Sequence, residues 1–574
     1  HALLALGLLG SLTRLSIFWV LAALSAVALW RLPALVLQGR REVSAWWTFQ
    51  ADGLEEPLSH GARLARALEG GGVCLVVASL AFLLDLCWAI APEVQYDGLA
   101  YHLAVPKLYL QQGAIVNLPY FFHSYFARMF ELLFLPCLAF GGTEAAAKLV
   151  VLGASVVGAL AVFVLGRIVF DVQVGCWAAV LFFTTPVVSG LSGTTHVDLA
   201  IGLFLSATLV GCLRWSQSAA PGWLYLTALL AGSALAVKVN AAFGLVVPGF
   251  VVLAPLTARR ELRPLLGGAL AFLVVAAPWF LLIRGWTGNP VFPLYNGLFQ
   301  SPLWDPTNRL MNAEDFGIGR SLGSLFRLPF SFTFDTTHFG EGEPRGAAGV
   351  ALLLALPWLV LGFRKQSAGV RLLAATAVVY LALWAWTFQY VRYYVPILPA
   401  VCVLAAVSLR LLGPVAWVPI VCQIVVTPAW FWQIEDRVPL ALALGRETRE
   451  SFRHRSITGY AMAQRLNRVV PSNGRVLGVS AEGIRFHLDA PLETSSDSLL
   501  TSPVRTLSGM APDRALAERI AQLGFTHILA DRAVLAAPDR YYPYLTPAFL
   551  HDFAAEEACD AWACAYRMTG PHSP

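Results

Sequence analysis

The stretch "APEVQYDGLAYHLAVPKLYLQQG", residues 91–113, places Asp97, Tyr101, His102 and Lys107 directly after the apolar run "GGVCLVVASLAFLLDLCWAI". Four more ionisable residues interrupt apolar sequence: Asp198 in "TTHVDLAIG", Lys238 in "LAVKVNAAF", Arg284 in "LLIRGWTGNPVFP" and Arg392 in "QYVRYYVP". Ionisable side chains at membrane depth, or at the ends of apolar helices, are expensive, so each is a candidate for function. Two carboxylates and three cations on one surface would suit transfer from a lipid-linked phosphate. The cations would bind phosphate oxygens and stabilise charge on the leaving group. A carboxylate would take the proton of an attacking hydroxyl.

Each candidate also has a simpler use. Asp97 and Asp198 stand at helix starts, where aspartate caps. Lys238 and Arg392 could snorkel to headgroups. Tyr101 follows Asp97 by four residues and shares its helix face. His102 lies on a different face and reads as a hydrogen-bonded structural residue. Lys107 reads as a headgroup contact, Glu93 as a solvated loop acid, and Pro106 as the end or kink of the helix. The carboxylates with His102 and His196 could hold a divalent metal, but no DxD pair, HExxH or His/Cys cluster commits the sequence to one.

The elements that must position these residues are membrane helices. The chain is 57% hydrophobic and 13% charged, about half the charge of a typical soluble domain. Apolar runs near twenty residues recur, at 15–37, 72–91, 146–168, 173–190, 196–214, 222–238, 240–256, 265–284, 346–363, 369–388, 393–411 and 414–432, with a partial helix at 2–10. They read as a polytopic membrane protein. No basic stripe interleaved with aromatics occurs, so nucleic acid is excluded as a partner class. "ALLALGLLG", after His1, reads as the end of a longer apolar segment rather than a signal peptide.

Arginine and lysine set the expected orientation. Arg40, Arg41, Arg63, Arg66, Arg167, Arg214, Arg259, Arg260, Arg263, Arg364, Lys365, Arg371 and Arg410 fall in alternate connections. That side is expected to be cytoplasmic. The other side receives a first outer loop, 92–145, a second, 285–345, and everything after 432. Within 92–145, "LAYHLAVPKLYLQQ" and "YFARMFELLFLPCLAF" read as interfacial rather than spanning helices.

From about residue 443 the composition turns polar. "GRVLGVS" and "THILADRAVL" read as strands, and "DRALAERIAQLG" as a helix with an aspartate cap and a terminal glycine. The expected organisation is 1–71, extra N-terminal transmembrane segment or segments and a cytoplasmic loop; 72–432, a catalytic membrane core; and 433–574, a small extracytoplasmic α/β domain. Cys74, Cys87, Cys137, Cys176, Cys212, Cys402 and Cys422 sit in or beside apolar runs and read as small buried residues. Cys559 and Cys564 share a polar tail, where spacing alone leaves a disulfide open.

With these residues in view, the chain resembles the GT-C superfamily of membrane glycosyltransferases. More narrowly, it resembles the bacterial branch related to protein O-mannosyltransferases and the aminoarabinose transferase of lipid A. The stretches that carry the resemblance are "YDGLAYHLAVPKLYLQQG", "TTPVVSGLSGTTHVDLAIG", "GSALAVKVNAAF", "RGWTGNPVFPLYNGLF" and "QYVRYYVPILPA", in that order. The resemblance implies an all-α polytopic core of about eleven transmembrane helices, here with an extra N-terminal helix or helices, and juxtamembrane helices in the first loop. It implies a polyprenyl-phosphate sugar donor, with a metal in some members. Asp97 would be the catalytic acid position of the first loop and Asp198 the second acidic position. Lys238 and Arg392 would face the donor phosphate. Many relatives carry a second acid beside the first, where this chain has Gly98.

The leading expectation is inverting sugar transfer from a polyprenyl-phosphate carrier to an extracytoplasmic acceptor at a bacterial-type inner membrane. Asp97 would be the base; Lys238, Arg392 and Arg284 would neutralise the phosphate; Tyr101, His102 and His196 would support. A transporter or flippase is the alternative; it would place charges at mid-membrane, in two repeated halves. A scaffold with a partner-binding tail is a third reading, and it leaves the converging charges unexplained.

Overall fold

A computed structural model describes residues 1–52, 72–141, 143–305, 315–340, 344–361, 366–432, 439–494, 499–536 and 542–569. Among these, eight helices are long and apolar enough to cross a membrane: Arg14–Ala34, Val73–Ile90, Glu144–Val169, Asp198–Ser218, Val239–Ala258, Leu262–Thr287, Ala368–Thr387 and Leu398–Pro428. Val172–Phe183 and Pro186–Ser192 meet at a 65° bend and make a ninth if taken as one span. Each of the apolar runs picked out in the sequence contains a helix.

Two spans differ from simple rods. The bend after Phe183 falls where Thr184 and Thr185 turn their hydroxyls back to the carbonyls of Val180 and Leu181 and Pro186 begins a new helix, a position that suits proline's missing N–H. Buried Asp85, from Val73–Ile90, is bonded to Ser189 just beyond it. Leu398–Pro428 is continuous only in composition. Arg410 pairs with Asp171, Trp417 packs on Trp177, and Gln423 reaches Thr184. The chain therefore descends through Leu398–Leu412, turns at Gly413 (φ 57°), and climbs back through Trp417–Trp432. Only glycine takes that left-handed turn without strain.

Pro221–Val237 packs antiparallel along Asp198–Ser218, with Gly211 against Thr227, and parallel along Leu262–Thr287, with Gly267 against Tyr225 and Gly232 against Phe272. Asp198 begins the first of these helices and Lys238 follows the end of the second. Asp198, Lys238 and Arg392 consequently share one end of the bundle. Arg167, Arg214, Arg259, Arg260, Arg263, Arg371 and Arg410 lie at or near the opposite helix ends. Arg63, Arg66, Arg364 and Lys365 lie outside the described residues, as do the side chains of Arg40 and Arg41.

Among the described residues, the first loop contains no span. Gly98–His102 is a π-helical turn, closed by Leu103 N–H to Gly98 O, and it leads into Ala104–Gln112. Pro106 sits in the first turn of that second helix, where it neither ends nor breaks it. Glu131–Gly141 is helical but too short to cross. In the second loop the sequence reading missed a helix, Leu322–Phe334, capped by Ser321.

The C-terminal part forms a five-stranded sheet: β1 Arg475–Val479, β2 Leu492–Thr494, β3 Phe525–Asp531, β4 Ala554–Cys559 and β5 Ala563–Met568, in the order β2-β1-β3-β5-β4. β1 runs parallel to β2 and β3, while β5 is antiparallel to β3 and β4. Strand alternation sends Leu477 and Ile528 into one apolar layer and Val476 and Leu529 into the other. Arg514–Gln522 is capped by Asp513, and the chain leaves it at Gly524 in the left-handed region. Cys559 and Cys564 are disulfide-bonded across the β4–β5 hairpin.

Candidate active site

The segment after Val73–Ile90 is fastened residue by residue. Buried Lys148 donates to the carbonyls of Ala91 (2.9 Å) and Pro92 (3.1 Å). Glu93 comes next, and it is not a solvated acid: it is 1% exposed. One oxygen accepts from the N–H groups of Val94 and Gln95, both at 2.9 Å. The other accepts from Thr195 N–H (2.7 Å) and Thr195 Oγ1 (2.9 Å). Glu93 thereby ties the start of the first loop to the turn that carries His196 and Asp198. A buried carboxylate needs this saturation to be tolerated.

Asp97 follows, and its carboxylate does not cap the turn behind it. It accepts a hydrogen bond from Arg392 Nη1 at 2.8 Å and lies 3.6 Å from His196 Nε2. Burial alone would raise this carboxyl; Arg392, aided by His196 and His102, outweighs it and holds Asp97 well below the usual carboxylate range. Burial and Arg392 together push His196 down, against the opposing pull of Asp97. Burial and neighbouring Asp97 push the Tyr101 phenol well up. Tyr101 stacks on His123, with ring centroids 4.7 Å apart.

Asp198 opens Asp198–Ser218 and is fully buried. Lys238, between Pro221–Val237 and the next helix, donates to it at 3.0 Å. Lys238 also sits 4.7 Å over the Tyr393 ring, as Arg392 sits 4.9 Å over Tyr390. Arg392 interacts electrostatically with both acids. Asp97, Asp198, Lys238 and Arg392 therefore form two adjacent ion pairs of zero net charge. The side chains of Asp97, Lys238 and Arg392 keep 22%, 27% and 16% of their surface open.

Arg284 is different. It is exposed on Leu262–Thr287 and makes no ion pair or hydrogen bond with the cluster among the described contacts. Lys107 does not face open headgroups either. It donates to the carbonyls of Phe486 and Leu488, both at 3.0 Å, in the C-terminal domain. A cavity of about 720 Å³ lies on that domain, beside Phe525, His527 and Arg567, and shares no residue with the cluster.

Sequence reasoning missed Glu131 and Arg128. His102 Nδ1 bonds Glu131, which also takes Arg128. Two opposite charges three apart inside "YFARMFELLF" were the available signal. Asp97, His102 and His196 bring one ligand atom each within 4.8 Å of one another. His196 Nδ1 is engaged by Thr194 Oγ1 at 2.9 Å, and His102 Nε2 is buried without a partner. His196 turns its other nitrogen, Nε2, toward Asp97; imidazoles held through one nitrogen, with the second directed at the same point, fit the pattern of metal ligands. Gly98 explains the missing second acid: a Cβ there would meet Thr195 Oγ1 at 2.7 Å and Glu93 Cδ at 2.8 Å.

Residues 119–281 match the family model described as dolichyl-phosphate-mannose-protein mannosyltransferase. The structure is similar to ArnT from Cupriavidus metallidurans in the apo state, with TM-score 0.57 at 17% identity, covering 87% of this chain and 97% of that one. ArnT bound to undecaprenyl phosphate gives TM-score 0.56, also at 17% identity, covering 86% and 97%. The chain shares the fold of these ArnT structures. No curated protein sequence matches it.

Proposed function

We propose that this chain is a membrane glycosyltransferase that moves a sugar from a polyprenyl-phosphate carrier to an extracytoplasmic acceptor. The observation that carries this reading is the pairing of Arg392 with Asp97 beside Lys238 with Asp198, at one end of the bundle. The description of the matching family and the undecaprenyl phosphate bound by ArnT support a lipid-linked phosphate donor.

In the reaction, the acceptor hydroxyl oxygen forms a bond to the anomeric carbon. The bond from that carbon to the phosphate oxygen breaks, and the phosphate leaves with the electron pair. Arg392 and Lys238 hold the leaving phosphate. Asp97 takes the hydroxyl proton. A phosphate arriving at the cluster shares Arg392 with Asp97 and loosens the contact that makes this carboxylate a poor proton acceptor. Asp198 keeps Lys238 in place, and Tyr101 packs beside Asp97. Arg284 has no part in this arrangement. A divalent cation, if bound, would be held by Asp97, His102 and His196 and would supply further neutralisation of phosphate oxygens.

The arginines at the opposite helix ends support a bacterial-type inner-membrane protein with the cluster and the C-terminal sheet domain outside the cytoplasm. The test is purified protein in vesicles with labelled polyprenyl-phosphate sugar. Acceptor-dependent release of polyprenyl phosphate is the expected result. Movement of label across the bilayer with the donor bond intact would make the chain a transporter.

A further inference from the structure

The C-terminal domain reaches the Asp97 loop directly. Its short helix Glu482–His487 packs on the π-helical turn Gly98–His102. Arg485, 5% exposed, lies at the centre of that contact. Its Nη1 donates to the Ala100 carbonyl at 3.3 Å and its Nη2 to Thr494 Oγ1, on β2, at 3.4 Å. Its guanidinium lies 3.9 Å over the ring of Phe121, from the first loop. Tyr96 Oη donates to Glu482 at 3.2 Å on one side, and Lys107 binds the carbonyls of Phe486 and Leu488 on the other.

The turn itself is the last link before the reacting groups. Asp97 precedes it, and Tyr101 and His102 lie within it. A π-helical turn is an uncommon conformation, frequent at functional sites, and this one is held from two sides. Arg128 reaches the Tyr101 carbonyl from the first loop, while Arg485 reaches the Ala100 carbonyl from the sheet domain. A buried guanidinium spread over a ring and two acceptors is a rigid support, because its planar fork loses little freedom in binding.

We propose that the C-terminal domain is a working part of the transfer site, with Arg485 as a positioning residue that sets the Gly98–His102 turn and, through it, Asp97. This rests on the transferase reading above for its kinetic consequence, not for its structural one. It implies that the domain cannot be exchanged for another of similar size without rebuilding this contact.

The experiment uses the full chain in vesicles, with Arg485→Ala, Arg485→Lys, Phe121→Leu and Arg453→Gln. The last removes a different contact between domain and bundle, Arg453 to Glu144. Backbone hydrogen exchange of residues 98–103 is measured beside transfer kinetics. Arg485→Ala is expected to speed that exchange about tenfold. It should also lower kcat by about 10- to 100-fold, as displacements near 1 Å do, with the donor KM within about twofold. Arg485→Lys recovers part of both effects, and Phe121→Leu reproduces them in weaker form if Arg485→Ala fails to fold. Arg453→Gln leaves the exchange at 98–103 unchanged. Wild-type exchange in Arg485→Ala, or equal changes in Arg485→Ala and Arg453→Gln, would overturn the proposal. A wild-type protein without transfer activity would instead sink the transferase reading, while the exchange measurement still decides this one.

Discussion

Arg392 donates a 2.8 Å hydrogen bond to Asp97 across 295 residues of sequence. The acid comes from the loop after the Val73–Ile90 helix and the cation from the turn before Leu398–Leu412. In the proposed reaction the same guanidinium turns to the departing phosphate. Arg392→Ala is therefore expected to reduce kcat/KM by about 10²-fold or more. Arg392→Lys keeps the charge but loses the planar fork, and should fall between alanine and wild type. Initial rates of polyprenyl-phosphate release measure both.

Lys238 and Asp198 should behave as a unit. Lys238→Met strands a fully buried carboxylate, at a cost of about 3–5 kcal/mol. The double variant Lys238→Met with Asp198→Asn removes both charges and should regain most of the folded yield, yet remain inactive. Size-exclusion profiles in detergent and transfer rates separate the two effects. Recovery of activity in the double variant would show that the pair is only structural.

Glu93 is the third case. Glu93→Gln leaves one acceptor oxygen where two now serve four donors. A local loss of about 1–3 kcal/mol follows. Because the tie to Thr195 loosens, kcat should fall while the donor KM changes little. Steady-state kinetics with a thermal-stability control measures this.

The membrane architecture was legible because apolar runs and arginine placement are strong one-dimensional signals. Asp97, Asp198, Lys238 and Arg392 stood out for the same reason: each is a charge where charges are costly. What the sequence could not show was pairing. Nothing in "APEVQYDG" says that Glu93 is buried, because its partners lie 102 residues away at Thr195. Lys107 looked like a headgroup ligand because its partners, the Phe486 and Leu488 carbonyls, are backbone groups without a side-chain signature. Arg284 matched the others in context, and the structure places it on an exposed part of its helix with no described contact to the cluster. The strands of the C-terminal sheet were visible in part; β2, three residues long, and the β4–β5 hairpin were not, while the spacing of Cys559 and Cys564 left open the disulfide that links the two strands.

The interface between sheet domain and bundle should be acid-sensitive through His487. Burial pushes this imidazole from 6.5 down to about 4. The unfolded chain takes up a proton as pH falls through 6.5, while the folded chain does not until about 4. Stability is thus unaffected by this group above 6.5 and is lost progressively between 6.5 and 4, by about 2–3 kcal/mol in all. Thermal unfolding of His487→Gln should show a shallower fall in Tm than wild type over that interval. Identical pH profiles would contradict it.

In the proposed reaction Asp97 accepts the proton of the attacking hydroxyl. The direct measurement is Asp97→Asn in vesicles with labelled polyprenyl-phosphate sugar and acceptor, with folding checked by thermal unfolding. Asparagine keeps the shape but cannot take the proton, so transfer should fall by about 10²- to 10⁴-fold. Donor binding should be retained or tightened, because Arg392 is freed for the phosphate. Wild-type transfer by a folded Asp97→Asn protein would mean that Asp97 is not the base.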